Sequence, residues 1–177
     1  MQSRAKLSFK QDSNETRVLH HWWTELQDRR ADRAALRRAK TTLEVVLQPA
    51  FVDLLQRIEE TAGKIDSDYQ IRQLALIAGV LSDIKGERDT PIAQSMAQPR
   101  SASTGPRVSP QRFRRLLASQ DPEEVLTAFR RILRLLDNSA DIADLARRLY
   151  WWNDRDDKNR RNMALEYYRQ ASSLAQT

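Results

Sequence analysis

One hundred and seventy-seven residues, 40% of them hydrophobic, suit one domain or two small ones with a real core and exclude a wholly disordered chain. Only four glycines and six prolines, with no strand-like alternation of Val, Ile and Thr, predict an all-α fold. Thirty basic residues against twenty-four acidic ones leave a net charge of +6, which favours anionic partners, nucleic acid above all, and zero cysteines exclude disulfides and thiolate metal sites.

Residues 1–13 read as a mobile basic tail. A helix is expected from Asn14 to Gln27, with Val18, Leu19, Trp22, Trp23 and Leu26 inward. Adjacent tryptophans lie 100° apart on a helix, so one is expected at the edge of that face, as packing rather than as a base-stacking platform. A short cationic helix follows, capped by Asp32 and carrying Arg33, Arg37, Arg38 and Lys40, with Arg29 and Arg30 in the turn before it. This densest positive cluster reads as an anion-contacting surface.

From Thr42 to Ala62 the apolar residues Leu43, Val46, Leu47, Phe51, Leu54, Leu55 and Ile58 recur at helical spacing. Pro49 interrupts them, predicting a kink or two helices. Gly63 closes the element, and Asp66 or Ser67 opens the next, which runs through Ile71, Leu74, Ala75, Ala78, Leu81 and Ile84. Gly79 in its middle predicts a close helix–helix crossing, since glycine there costs about 1 kcal/mol relative to alanine. A short helix around 92–97 is followed by a Pro-, Ser- and Gly-rich stretch. Residues 98–108 are therefore expected to be a linker between two small helical bundles, 14–97 and 109–177.

The second bundle opens with Ser109–Pro110, a capping hydroxyl before a proline at the first helical position. Asp121–Pro122–Glu123–Glu124 repeats the device, with carboxylates where the helix dipole favours them. Ser139 or Asp141 starts a third segment. In the middle segment Val125, Leu126, Phe129, Ile132, Leu133 and Leu136 form one apolar face, and Arg130, Arg131 and Arg134 are placed opposite it. After Trp151–Trp152 comes an exposed loop. A last helix from about Asn159 to Ala175 has Met163, Tyr167, Ala171 and Leu174 inward and Arg160, Arg161 and Arg169 outward.

No enzyme constellation emerges. His20 and His21 are adjacent and cannot share a helix face as paired metal ligands would, and Asp154, Asp156 and Asp157 read as a solvated loop. No Gly-rich phosphate loop and no G-x-S-x-G elbow occur. No catalysis, cofactor, metal or small-molecule substrate is expected. No apolar run reaches bilayer length and the N-terminus lacks an apolar secretion core, so a cytoplasmic address without membrane contact is expected.

The series WWTELQ (22–27), DRAALRRA (32–39), QLALIAGVL, VSPQRFRRLLASQDPEEVLTAFRRILRLL and LARRLYWW, closed by a helix with a Tyr–Tyr pair, resembles a known family over roughly residues 14–170. That family is the small subunit of the type I-E CRISPR surveillance complex, Cascade, also called CasB. The resemblance implies a non-enzymatic subunit of an RNA-guided antiviral complex, present in two copies. Its partners would be other Cascade subunits, guide RNA and target DNA. Such a subunit would support the guide–target region and the displaced strand through basic surfaces. It places the family's basic positions on Arg38, Arg112, Arg130, Arg131 and Arg155. The helical patterning adds Arg33, Arg37, Arg115 and Arg134 as backbone-binding candidates, because arginine suits phosphate oxygens without reading sequence. A helical scaffold binding acidic protein surfaces is the alternative; the charge balance by itself equally suits an ordinary solvated surface. A helix-turn-helix repressor is disfavoured, since residues 117–123 lack a glycine-containing turn.

Overall fold

The computed structural model describes residues 6–100 and 105–174. Residues 1–5 of the expected tail, 101–104 of the expected linker and the end of the last helix beyond 174 lie outside the described residues. Ten helices form, in the order α1 (Asn14–Asp28), α2 (Arg30–Arg38), α3 (Thr42–Val46), α4 (Pro49–Ala62), α5 (Asp68–Leu81), α6 (Ile92–Ala97), α7 (Pro110–Ala118), α8 (Pro122–Leu135), α9 (Ile142–Tyr150) and α10 (Lys158–Leu174). Two two-residue strands, β1 (Gly86–Glu87) and β2 (Ser139–Ala140), pair in parallel.

Helix α5 is the axis of the molecule. Every residue from Gln73 to Leu81 is buried, the pattern of a helix covered on all sides. Its cover comes from both halves of the chain, with α3 and α4 from the first and α8 and α9 from the second. Helix α6 packs on α10, and α1 touches α9. The two expected bundles therefore do not close over separate cores; the buried apolar residues form one cluster across the break. The physical reason is α5 itself, which neither half can bury alone. Strand β1 lies against β2 beside this joint, and Asn138 O accepts from the Lys85 backbone N–H at 2.8 Å.

The start signals operate as read. Ser109 Oγ accepts from Arg112 N and Asp121 from Glu123 N and Glu124 N, with Pro110 and Pro122 at the first helical positions. Asp141, not Ser139, caps α9 through Asp144 N. Pro49 starts a new helix, so the run from Thr42 splits into α3 and α4. That split changes which leucines are inside. The five-residue α3 buries Thr42 and Val45 and leaves Leu43 and Leu47 66% and 69% exposed. Leu174, expected on the inner stripe of α10, is also exposed.

Residues 6–13 are not a loose tail where they are described. Leu7 and Phe9 are buried, and the Glu15 carboxylate accepts from the Ser8 and Phe9 backbone N–H groups. Trp151 Nε1 donates to Ser8 O, fastening the segment to the end of α9. Both Trp22 and Trp23 are buried, contrary to the expected edge position. Trp22 Nε1 donates to Ala50 O at 3.0 Å, and the Trp23 ring leans on His20. The described ends of the expected linker are fixed as well: Arg107 N donates to Gln98 O and Val108 N to Met96 O. Among the described residues no helix is long and apolar enough to cross a membrane.

Tyr167 anchors α10. Its ring stacks on Phe113 with centroids 4.1 Å apart, and its hydroxyl donates to Val108 O at 2.6 Å. Burial pushes the Tyr167 hydroxyl up to about 12. A tyrosine whose folded value is raised above its unfolded value of about 10 leaves stability intact below pH 10 and withdraws it as pH rises toward 12. Tyr167→Phe is expected to cost about 1 kcal/mol at neutral pH and to flatten the fall in stability between pH 10 and 12. Urea titrations across that range check both effects.

Candidate nucleic-acid interface

The nine candidate arginines sort into three groups. The first surrounds Asp83, at the end of α5, and faces inward. Arg33 Nε donates to Ser82 O at 2.9 Å and its Nη2 to Ile84 O at 2.8 Å, satisfying carbonyls that the end of α5 leaves free. Arg37 Nε donates to Asp83 Oδ1 at 3.0 Å. Arg130 comes from the far half of the chain and pairs through Nε with Asp83 Oδ2 at 2.9 Å. Its Nη1 donates to Ala39 O, and its Nη2 to Leu36 O and Gly79 O, both at 2.9 Å.

This overturns the outward placement of Arg130, whose side chain is only 13% exposed. Arg130 lies four residues after Leu126, on the same side of α8, and both face Gly79. A Cβ at Gly79 would stand 3.0 Å from Leu126 Cδ1, so the glycine admits the crossing that brings Arg130 to the α2 carbonyls. Burial pulls the Arg130 guanidinium below its ordinary value, with the Asp83 carboxylate opposing that shift. Arg33 is lowered in the same way, by burial first and then by Arg37. Arg33 and Arg130 are thus structural ligands of carbonyls, and Arg37 remains half exposed beside them.

The second group is a groove between α7 and α8, with a volume of about 920 Å³. Arg112 and Arg115 stand on one wall and Arg131 and Arg134 on the other. Each pair is spaced i, i+3, which places both members on one helix face. All four are exposed, and none of their guanidinium groups has a hydrogen bond or ion pair among the described residues. The floor is apolar, formed by Leu116, Ala128, Ile132 and Leu135. Ser119 and Thr127 add hydroxyls, and Glu123 and Glu124 stand at the start of α8. Four uncompensated cations over an apolar floor can hold phosphates at the walls and accept sugar or base surface below. The glutamates were read only as helix-dipole residues; their place in the groove depends on how α7 packs on α8, which spacing along one helix does not reveal.

The remaining two candidates stand apart. Arg38 is exposed at the end of α2, in a recess of about 300 Å³ that includes Glu44 and Leu47. Arg155 is exposed in the loop with Asp154, Asp156 and Asp157. Asp154 Oδ2 accepts from Asn159 N at the start of α10. Asp157 pairs with Arg160, which is turned inward to donate to Leu117 O instead of lying outside as expected. The histidines serve separate contacts: His20 Nε2 meets Glu87 at 2.8 Å and His21 Nε2 meets Glu25 at 2.9 Å. Among the described residues no group of three or more His, Cys, Asp or Glu is placed to hold a metal ion.

The family model for CRISPR-associated protein Cse2 matches residues 32–168. Among solved structures, the chain is similar to a chain in the crystal structure of E. coli Cascade bound to a PAM-containing dsDNA target with a 32-nt spacer, at 3.20 Å resolution. The two are 19% identical, the match covers 89% of this chain and 96% of that one, and the TM-score is 0.65, so the fold is shared. No curated protein matches.

Arg130→Ala should destabilise the protein by about 3 kcal/mol or more, because it leaves Asp83 short of a partner and three carbonyls unsatisfied. Arg131→Ala, one residue along and exposed, should change stability by less than about 0.5 kcal/mol. Chemical denaturation of the two variants measures the contrast.

Proposed function

We propose that this chain, which belongs to the CRISPR-associated protein Cse2 family, is a non-catalytic Cascade subunit that holds nucleic-acid backbone in the groove between α7 and α8. The observation that carries the reading is the convergence of Arg112, Arg115, Arg131 and Arg134 on one groove with no protein partner among the described residues. In an RNA-guided complex, base pairing with the guide reads the sequence, so an accessory subunit need only support phosphates. Guanidinium groups over an apolar floor do that for any sequence.

The ligand is the displaced DNA strand, with the guide RNA–target region nearby, and the other Cascade subunits hold the chain in place. Supporting the displaced strand slows its return to the target strand and prolongs the open state. Two copies of the chain in the complex would lengthen the path. Arg38 and Arg155, exposed elsewhere, would extend it beyond the groove, and Arg37 is the member of the Asp83 group with surface left to contribute. The alternative, a scaffold whose basic faces meet acidic proteins, predicts no groove-dependent affinity for nucleic acid.

Binding of a labelled single-stranded oligonucleotide is expected to weaken steeply with salt. In the Arg131→Gln, Arg134→Gln double variant the slope of log K against log salt should fall by about 1.4, from about 0.7 for each lost phosphate contact. Anisotropy titrations at several salt concentrations measure this. A slope unchanged by the double substitution would favour the scaffold.

A further inference from the structure

The groove carries opposing charge at one end. Glu123 and Glu124 lie in the first turn of α8, whereas Arg131 and Arg134 lie further along the same helix. At 1.5 Å per residue, Glu124 stands about 10 Å along the axis from Arg131 and about 15 Å from Arg134. The two glutamates are not equivalent. Glu123 Oε1 accepts from the Thr42 backbone N–H at 3.0 Å and from the Thr42 hydroxyl at 2.8 Å, so it is committed to the start of α3. The Glu124 side chain is exposed, lines the groove and has no hydrogen bond or ion pair among the described residues. The helix cap does not need it, since Asp121 already accepts from the Glu123 and Glu124 backbone N–H groups.

We propose that Glu124 is an electrostatic stop that keeps phosphate out of the first turn of α8 and so fixes where a strand crosses the groove, between the Arg112/Arg115 wall and the Arg131/Arg134 wall. The inference rests on the groove being the nucleic-acid surface. The start of a helix attracts anions through its free N–H groups and the positive end of the dipole. A strand lying in the groove therefore has two competing seats for phosphate, the arginines and the end of α8. A free carboxylate at that end removes the second seat. Position is then set by repulsion as much as by attraction, and the same charge moderates affinity so that the strand can leave.

The test uses the full chain and a fluorescein-labelled oligothymidylate, with anisotropy read from low to physiological salt. Glu124→Gln is expected to tighten binding about three- to tenfold at low salt, with the gain shrinking as salt is added. The slope of log K against log salt should steepen by up to about 0.7, and the occluded site should grow by about one nucleotide. Glu124→Lys should tighten binding further, and melting temperatures establish that both variants fold. Unchanged or weaker binding by folded Glu124→Gln, while Arg131→Gln loses affinity, would overturn the stop and leave the groove reading standing. If Arg131→Gln also binds as wild type, the groove itself is not the site, and the proposal fails with it.

Discussion

The contact on which the arrangement depends is Arg130 against Asp83 and the carbonyls of Leu36, Ala39 and Gly79. One side chain joins three helices here, since the carbonyls belong to the end of α2 and the middle of α5 while the guanidinium comes from α8. A charged group so far from water is tolerable only when every polar neighbour is used, and Arg130 is surrounded by acceptors. The contact also sets the rotation of α8. With Arg130 turned inward, Arg131 points 100° away and reaches the surface, as does Arg134. The exposed cations of the groove wall are therefore placed by a neighbouring cation that is not exposed.

Net charge and usable charge separate at this point. Arg33, Arg130 and Arg160 are all turned toward main-chain carbonyls, where they satisfy acceptors that helix ends or crossings leave open. Arg29 and Arg57 form a compact network with Asp53, joined by Asp32 and Glu25, between α1, α2 and α4. Arg148 is almost wholly buried between Asp144 and Glu166. Removing these leaves a smaller set of cations facing solvent, and the α7–α8 groove gathers four of them.

Much of this was legible before any coordinates. The caps at Ser109 and Asp121 and the apolar face from Val125 to Leu136 follow from local rules that act within a few residues, and those rules hold here. Gly79 pointed to a close crossing, and Leu126 is the residue it admits. The misplacements share a cause, which is contact between segments distant in sequence. Arg130 looked outward because a helical wheel contains no neighbours; α2 and α5 supply them. Leu7 and Phe9 looked like tail because their pocket is made by Glu15 and the α9 end. Leu43 looked buried because Pro49 was weighed as a break in direction rather than as a reset of phase. The expected boundary near residue 98 reflected composition, which records where the chain turns and not where the core ends.

The coverage of α5 by α8 and α9 has a consequence for how the protein is made. During synthesis α5 leaves the ribosome well before α8 and α9 exist, and for that interval one side of a helix buried all round in the native state has no native cover. The nascent N-terminal half therefore holds an unfinished hydrophobic surface, the kind of surface through which partly made chains associate or engage chaperones. The long-range links, from Trp151 back to Ser8 and from Arg130 back to Leu36 and Ala39, close only when most of the polypeptide is available. Folding of such a topology is post-translational in its last step, and its rate is governed by how quickly the late helices find α5.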